Sequence, residues 1–175
     1  MTDRFSILHI ADIPKTPQEK WSLKIGGEVD STVVLSWAGL MAMDTLLSVS
    51  DFHCVTDWSR LDNKWTGVRI RDVLALARPK SSVRYVTFRS ADGYTTSLPL
   101  SDCTGEDDIL AFRWEGALLG PDRGGPVRAI VPSKYGYKSA MRVVELKVTS
   151  KQESGYWEQR GDSQSADSWK EERYR

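Results

Sequence analysis

Two segments of this chain carry residue types able to do chemistry together. The first is Asp51-Phe52-His53-Cys54-Val55-Thr56-Asp57-Trp58-Ser59, with a single thiol beside an imidazole and a carboxylate. The second is Arg123-Gly124-Gly125-Pro126-Val127-Arg128-Ala129-Ile130-Val131-Pro132-Ser133-Lys134-Tyr135-Gly136-Tyr137-Lys138-Ser139, an apolar run that leads into a glycine-containing basic loop. A thiolate is a soft metal ligand. A loop with guanidinium groups and open backbone N–H groups suits a phosphate. Together they would suit a phosphorylated cofactor that carries a metal. Each has a plainer reading: free cysteine is among the most buried residue types, and a basic loop is often a solvated turn. His53 reads equally as a donor to the sulfur or phosphate and as an ordinary hydrogen-bonded histidine on the opposite face of a strand.

The elements that must position these residues are legible in outline. Trp21 to Ile25 alternates and reaches Gly26-Gly27, a strand into a turn. Ser36 is placed to cap a helix carrying Leu40, Met43, Leu46 and Leu47 on one side. Val49 to Val55 reads as a strand that delivers Cys54 at its end. A short helix around Asp72, Val73, Leu74 and Leu76 is expected to stop before Pro79. Further strands are predicted over Val83 to Phe88 and Tyr94 to Leu98, flanking an Ala91-Asp92-Gly93 turn. Asp108 to Trp114, Val127 to Val131 and Val143 to Val148 complete the set. Strands with a few interposed short helices imply an α+β fold with a mixed sheet.

The chain has 175 residues, within the range of one compact domain with a real core. An extended N-terminal arm of about 20 residues, with Phe5, Ile7, Leu8 and Ile10 packing onto the body, is expected to open it. From Lys151 onward the composition turns polar but keeps Trp157, Trp169 and Tyr174, so a tail docked through these aromatics is expected. Lys and Arg total 24 and Asp and Glu total 24, a balance that argues against a general nucleic-acid surface. The two cysteines, Cys54 and Cys103, are far apart and form no CxxC spacing, and no apolar run is long enough to span a bilayer. The N-terminus lacks a secretory pattern, which makes the cytoplasm the expected location. With His9 and His53 as the two histidines, a His-rich metal site is hard to assemble. There is no GxGxxG, P-loop, HExxH or GxSxG motif.

The Cys54 segment, Ser90-Ala91-Asp92-Gly93-Tyr94, the basic loop, Gly155-Tyr156-Trp157-Glu158-Gln159-Arg160-Gly161 and Trp169-Lys170-Glu171-Glu172-Arg173-Tyr174 together resemble the molybdopterin-binding catalytic domain of the sulfite oxidase family. The small bacterial sulfite oxidase-like oxidoreductases and the periplasmic methionine sulfoxide reductase catalytic subunit are the nearest in kind. The resemblance implies that Cys54 is the protein ligand of a molybdenum held by a single molybdopterin. It implies that Ser90, Arg123, Arg128, Ser139 and Ala140 contact the pterin or its phosphate, with Lys134, Gly136 and Lys138 in the same basic loop. Met141 would contribute backbone alone. His9 and His53 would be further cofactor contacts, Tyr94 the tyrosine near the substrate oxygen, Arg160 an anion-binding arginine and Trp65 a pocket wall.

The implied activity is oxygen-atom transfer on a small oxo-acceptor or oxo-donor, either sulfite-like or an S- or N-oxide. The haem domain of larger relatives has no counterpart in these residues, so a separate electron carrier is expected. Animal and plant members follow the ligand cysteine with paired arginines. Here Asp57-Trp58-Ser59-Arg60 follows, and a carboxylate beside the metal is expected to repel a dianion. A non-catalytic molybdopterin-binding module and a cysteine-nucleophile hydrolase are the alternatives.

Overall fold

The computed structural model describes residues 10–174. The arm residues Phe5, Ile7 and Leu8, together with His9, lie outside them. The first sheet contains β1 (Ser22–Gly27), β2 (Val33–Ser36), β5 (Tyr85–Ser90), β6 (Thr95–Pro99) and β10 (Val143–Thr149), in the order β2-β1-β10-β5-β6. β1 and β10 run parallel and the other neighbours antiparallel, so the sheet is mixed. The second sheet is antiparallel and orders β3 (Leu46–His53), β4 (Ser59–Arg69), β7 (Ile109–Trp114) and β8 (Ala117–Leu118), with β9 (Arg128–Ile130) also paired to β7. Two short helices, α1 (Trp37–Met41) and α2 (Ile70–Ala75), complete an architecture with few helices, as expected from the sequence.

The alternation of apolar residues decides which strand faces turn inward. Leu23 and Ile25 of β1, Val86 and Phe88 of β5, and Leu146 and Val148 of β10 are fully buried in one core with Ile70, Val73 and Leu74 of α2. A second core lies behind the Cys54 segment and contains Phe52, Trp65, Ile109, Ala111, Leu119 and Ile130. β9 belongs to the second sheet, yet its Ala129 N–H donates to the Ala140 carbonyl (2.8 Å), which ties the basic loop to that sheet.

One predicted element comes out differently, and one strand was not foreseen. Ser36 does cap a helix, its Oγ accepting from the Gly39 N–H at 3.1 Å, but α1 ends at Met41. Leu46 and Leu47 belong instead to β3, paired with Gly67 and Thr66. Gly39 weakens the helix interior, and pairing with β4 outweighs the remaining helical spacing. β4 itself, the longest strand at 11 residues, opens with polar residues and carries no sequence alternation. Asn63 is buried there because its amide donates to the Ser50 and Arg60 carbonyls (3.3 and 2.8 Å) and its oxygen accepts from Trp114 Nε1 (3.1 Å).

Asp108 immediately precedes β7 and is buried, with its carboxylate accepting from the Gly105 N–H at 2.7 Å. Burial, reinforced by Asp102 and Asp107, pushes it from 3.8 up to about 6. A carboxyl whose folded value is raised stabilises the fold fully below its unfolded value, and that contribution is lost as pH rises through about 6. Asp108→Asn is therefore expected to flatten the fall in stability between pH 4 and 7, measured by denaturant unfolding at both ends of that range.

Candidate cofactor and substrate site

β3 ends at His53 and leaves Cys54 at the head of a tight turn, its N–H donating to the Trp58 carbonyl (2.8 Å). Asp57 takes the left-handed conformation at φ 69° to close that turn. The Cys54 thiol is half-buried and contacts the Thr56 hydroxyl at 3.1 Å. It opens onto a cavity of about 510 Å³, a volume suited to a cofactor or small ligand. Ser90, Tyr94, Arg128, Gly136, Ser139 and Ala140 line the same cavity. Seven positions singled out from sequence, counting Cys54, thus meet around one space although they come from β5, β9 and three loops.

Their local structure suits an anionic group. Arg128 is 2 % exposed, stacked over the rings of Phe52 and Trp65 at 5.4 and 5.3 Å, and donates to the Arg123 and Ser139 carbonyls. Burial, with Arg142 and Arg123 nearby, pushes its guanidinium down to about 9, so an anion in the cavity would relieve the strain of holding that charge. The Ser90 hydroxyl is buried and without a hydrogen-bond partner. Ser139 braces the loop, its Oγ accepting from the Val131 N–H at 3.1 Å. A Cβ on Gly136 would meet the Phe52 ring at 2.4 Å, and one on Gly124, which has φ 87°, would meet the Met141 side chain at 2.7 Å. Glycine at both positions lets the loop close over the second core.

The Tyr94 phenol donates to the Tyr137 carbonyl, and burial raises its pKa well above the ordinary value, so it remains a neutral donor. Residues the sequence reading had not selected also line the cavity: Trp58, Tyr137, Arg142, Trp157 and Asp162, with Asp92 held on Arg142 at 2.5 Å. Met141 lines it as well.

The other candidates are placed elsewhere. Lys138 is fully buried, its ammonium on Glu158 at 2.6 Å and on the Ser97 carbonyl at 2.9 Å, so it is committed to an internal ion pair and not to the cavity. Lys134 is paired with Asp102 at 2.9 Å, away from the cavity lining. Arg160 is exposed, stacked on Tyr156 at 3.6 Å and donating to the Tyr156 carbonyl, outside the lining. Arg123 lies over the Trp114 ring at 4.6 Å, and Trp65 is behind Arg128. His53 turns toward Ser59 (2.8 Å) and the Trp169 ring (5.7 Å) and does not line the cavity. The Asp57 carboxylate, its side chain 83 % exposed, is paired with Arg173 at 2.8 Å. Asp57 is not among the cavity's lining residues, and Arg173 offsets the repulsion expected of it.

Among the described residues, no group of three His, Cys, Asp or Glu could cage an ion. A metal beside Cys54 would take most of its ligands from a cofactor, and the buried guanidinium and unsatisfied Ser90 hydroxyl fit the phosphate and polar edges of one. Fold and site thus define a protein that binds a phosphorylated, metal-carrying cofactor. Residues 10–157 match the family described as the oxidoreductase molybdopterin binding domain. The chain is 37% identical over 175 residues to the uncharacterized oxidoreductase YuiH of Bacillus subtilis, covering 99% of this chain and 88% of that one. It is 26% identical over 157 residues to the protein-methionine-sulfoxide reductase catalytic subunit MsrP of Campylobacter jejuni, covering 80% of this chain and 52% of that one, about half its length. The sulfane dehydrogenase SoxCD of Paracoccus pantotrophus shares the fold, with a TM-score of 0.73 at 21% identity over 79% of this chain and 40% of that one. The chain belongs to the oxidoreductase molybdopterin-binding domain family, of the sulfite oxidase-like kind, and its cofactor is molybdenum with molybdopterin.

Proposed function

We propose that this oxidoreductase carries out oxygen-atom transfer on a small molecule, coupled to a separate electron carrier. The observation that carries this reading is the meeting of Cys54, Ser90 and Arg128 in one cavity. In the proposal the Cys54 thiolate ligates molybdenum and tunes it as a soft donor. Arg128, Ser90 and the Ser139-Ala140 backbone hold the pterin and its phosphate. Bound there, the cofactor supplies two-electron exchange of an oxygen atom, while the protein supplies orientation, desolvation and electrostatics. Tyr94, kept as a neutral phenol, would exchange its bond to the Tyr137 carbonyl for one donated to a substrate oxygen. Trp58 and Trp157 wall the space against water. The names of the methionine-sulfoxide reductase relatives support an S-oxide among the candidate substrates.

The hydrolase reading loses support because His53, the base it requires, is turned to Ser59 and Trp169. The test of the proposal is metal and pterin analysis of protein made in a molybdopterin-competent host, with reduction of S- and N-oxides and oxidation of sulfite assayed against a dye carrier. One molybdenum and one pterin per chain with turnover is expected; absence of both from a folded preparation would sink the proposal. Arg128→Lys keeps the charge but loses the planar fork, and is expected to weaken retention of the cofactor by roughly tenfold on gel filtration.

A further inference from the structure

Asp162 lines the cavity with Cys54, and nothing in the proposed cofactor chemistry uses it. It follows Gly161, which turns the chain at φ 112°, and its N–H donates to the Trp157 carbonyl at 3.1 Å. The next residue is fixed to the cavity wall, its carbonyl accepting from the Tyr137 hydroxyl at 2.8 Å. The Asp162 carboxylate is half-buried and forms no salt bridge or hydrogen bond among the described residues. Burial, reinforced by Glu158, raises its pKa, and the one cation acting against this is Lys138, itself held by Glu158. Its neighbours at the cavity are Tyr94 and Tyr137, both of which feel its charge.

Among the described residues, the charges on the cavity wall are Arg128, Arg142, Asp92 and Asp162. Asp92 neutralises Arg142 in a pair whose side chains are each 2 % exposed. Arg128 is the group suited to the cofactor's phosphate. Among the described residues Asp162 is then left as the one charge without a counterion at the cavity, which it lines together with Tyr94, Tyr137 and Trp157. An anion brought beside Asp162 meets a like charge in a partly desolvated space, whereas an uncharged oxide meets aromatic walls without that repulsion.

We infer that Asp162 sets the substrate class of this site, excluding sulfite-like anions and leaving the cavity to uncharged oxides of the sulfoxide type. The inference rests on the reading of the cavity as an oxygen-transfer site.

The experiment compares molybdenum-loaded wild type with Asp162→Asn, which matches the side chain in shape, and Asp162→Glu, which keeps the charge. Two tetrahedral probes of similar size, sulfate and dimethyl sulfone, are titrated calorimetrically, and KM and kcat for dimethyl sulfoxide and sulfite are measured alongside. Asp162→Asn is expected to tighten sulfate binding and lower the sulfite KM by about tenfold, leaving dimethyl sulfone unchanged. Asp162→Glu is expected to behave as wild type. Unchanged sulfate affinity in Asp162→Asn at full molybdenum content would overturn the role of Asp162 alone, as would parallel changes for both probes. Wild-type protein from a molybdopterin-competent host that holds neither molybdenum nor pterin and turns over neither substrate would overturn the oxygen-transfer reading and this inference with it.

Discussion

Replacing Cys54 by serine is expected to abolish oxygen transfer while leaving the fold intact. The thiol is half-buried, and its side-chain contact is the Thr56 hydroxyl, which a serine can also engage. The backbone bond from Cys54 to the Trp58 carbonyl is independent of the side chain. The cost in stability is therefore expected to stay within about 0.5 kcal/mol. The chemical cost is of another order. A serine hydroxyl does not ionise near neutral pH and is a hard donor where a soft one is needed. Loss of an outer partner of a metal ligand already costs roughly 10- to 100-fold, and loss of the ligand itself is expected to exceed that. Turnover under saturating substrate, with a melting curve on the same sample, checks both halves of the expectation.

The second large effect is on stability and falls on Lys138. Its ammonium and the Glu158 carboxylate are both fully buried, 2.6 Å apart, and Glu158 also accepts from the Thr96 hydroxyl at 2.7 Å. Burial pulls the Lys138 pKa down and Glu158 opposes it. Lys138→Met removes the cation and leaves the carboxylate buried without it, at a cost of about 3–5 kcal/mol. For a chain of this size each kcal/mol shifts Tm by roughly 2–4 °C, so a drop on the order of 10 °C is expected in cofactor-free protein. Adding Glu158→Gln to Lys138→Met is expected to recover part of that loss, because the second change removes the stranded charge. A direct phosphate contact would give the opposite pattern, with Tm of the cofactor-free protein unchanged. The pair also joins the basic loop to the C-terminal segment, which helps place Asp162 four residues on.

Much of the site was legible because its chemistry needs particular side chains. A soft donor at a strand end, a buried-looking strand carrying Arg128, and a loop with Gly136 are features that sequence shows directly, and the fold brings them together with Ser90 and Ser139. The basic loop was less legible because charge alone does not reveal direction. Lys134 and Lys138 look equivalent to Arg128 in sequence, yet their partners, Asp102 and Glu158, lie 32 and 20 residues away and draw them inward. Asp57 misled for the same reason: proximity to Cys54 in the chain did not predict that a left-handed turn would send its carboxylate to Arg173. In the polar tail, Trp157, Trp169 and Tyr174 were expected to do the docking. Trp157 packs against the first core, whereas Trp169 and Tyr174 are exposed, and Glu158, Ser163 and Ala166 are buried. A single glutamate inside the aromatic run Gly155-Tyr156-Trp157-Glu158 was the signal for that. Asp162 carried none, since nothing in its neighbours marks a carboxylate that faces a cavity.

A bond between the sulfur of Cys54 and molybdenum is read out by X-ray absorption at the molybdenum edge. Holoprotein of wild type and of Cys54→Ser is compared at equal metal content. One fewer sulfur neighbour around molybdenum is expected in the variant, with an oxygen in its place or the position open. An identical sulfur count in the two proteins would rule out ligation by Cys54.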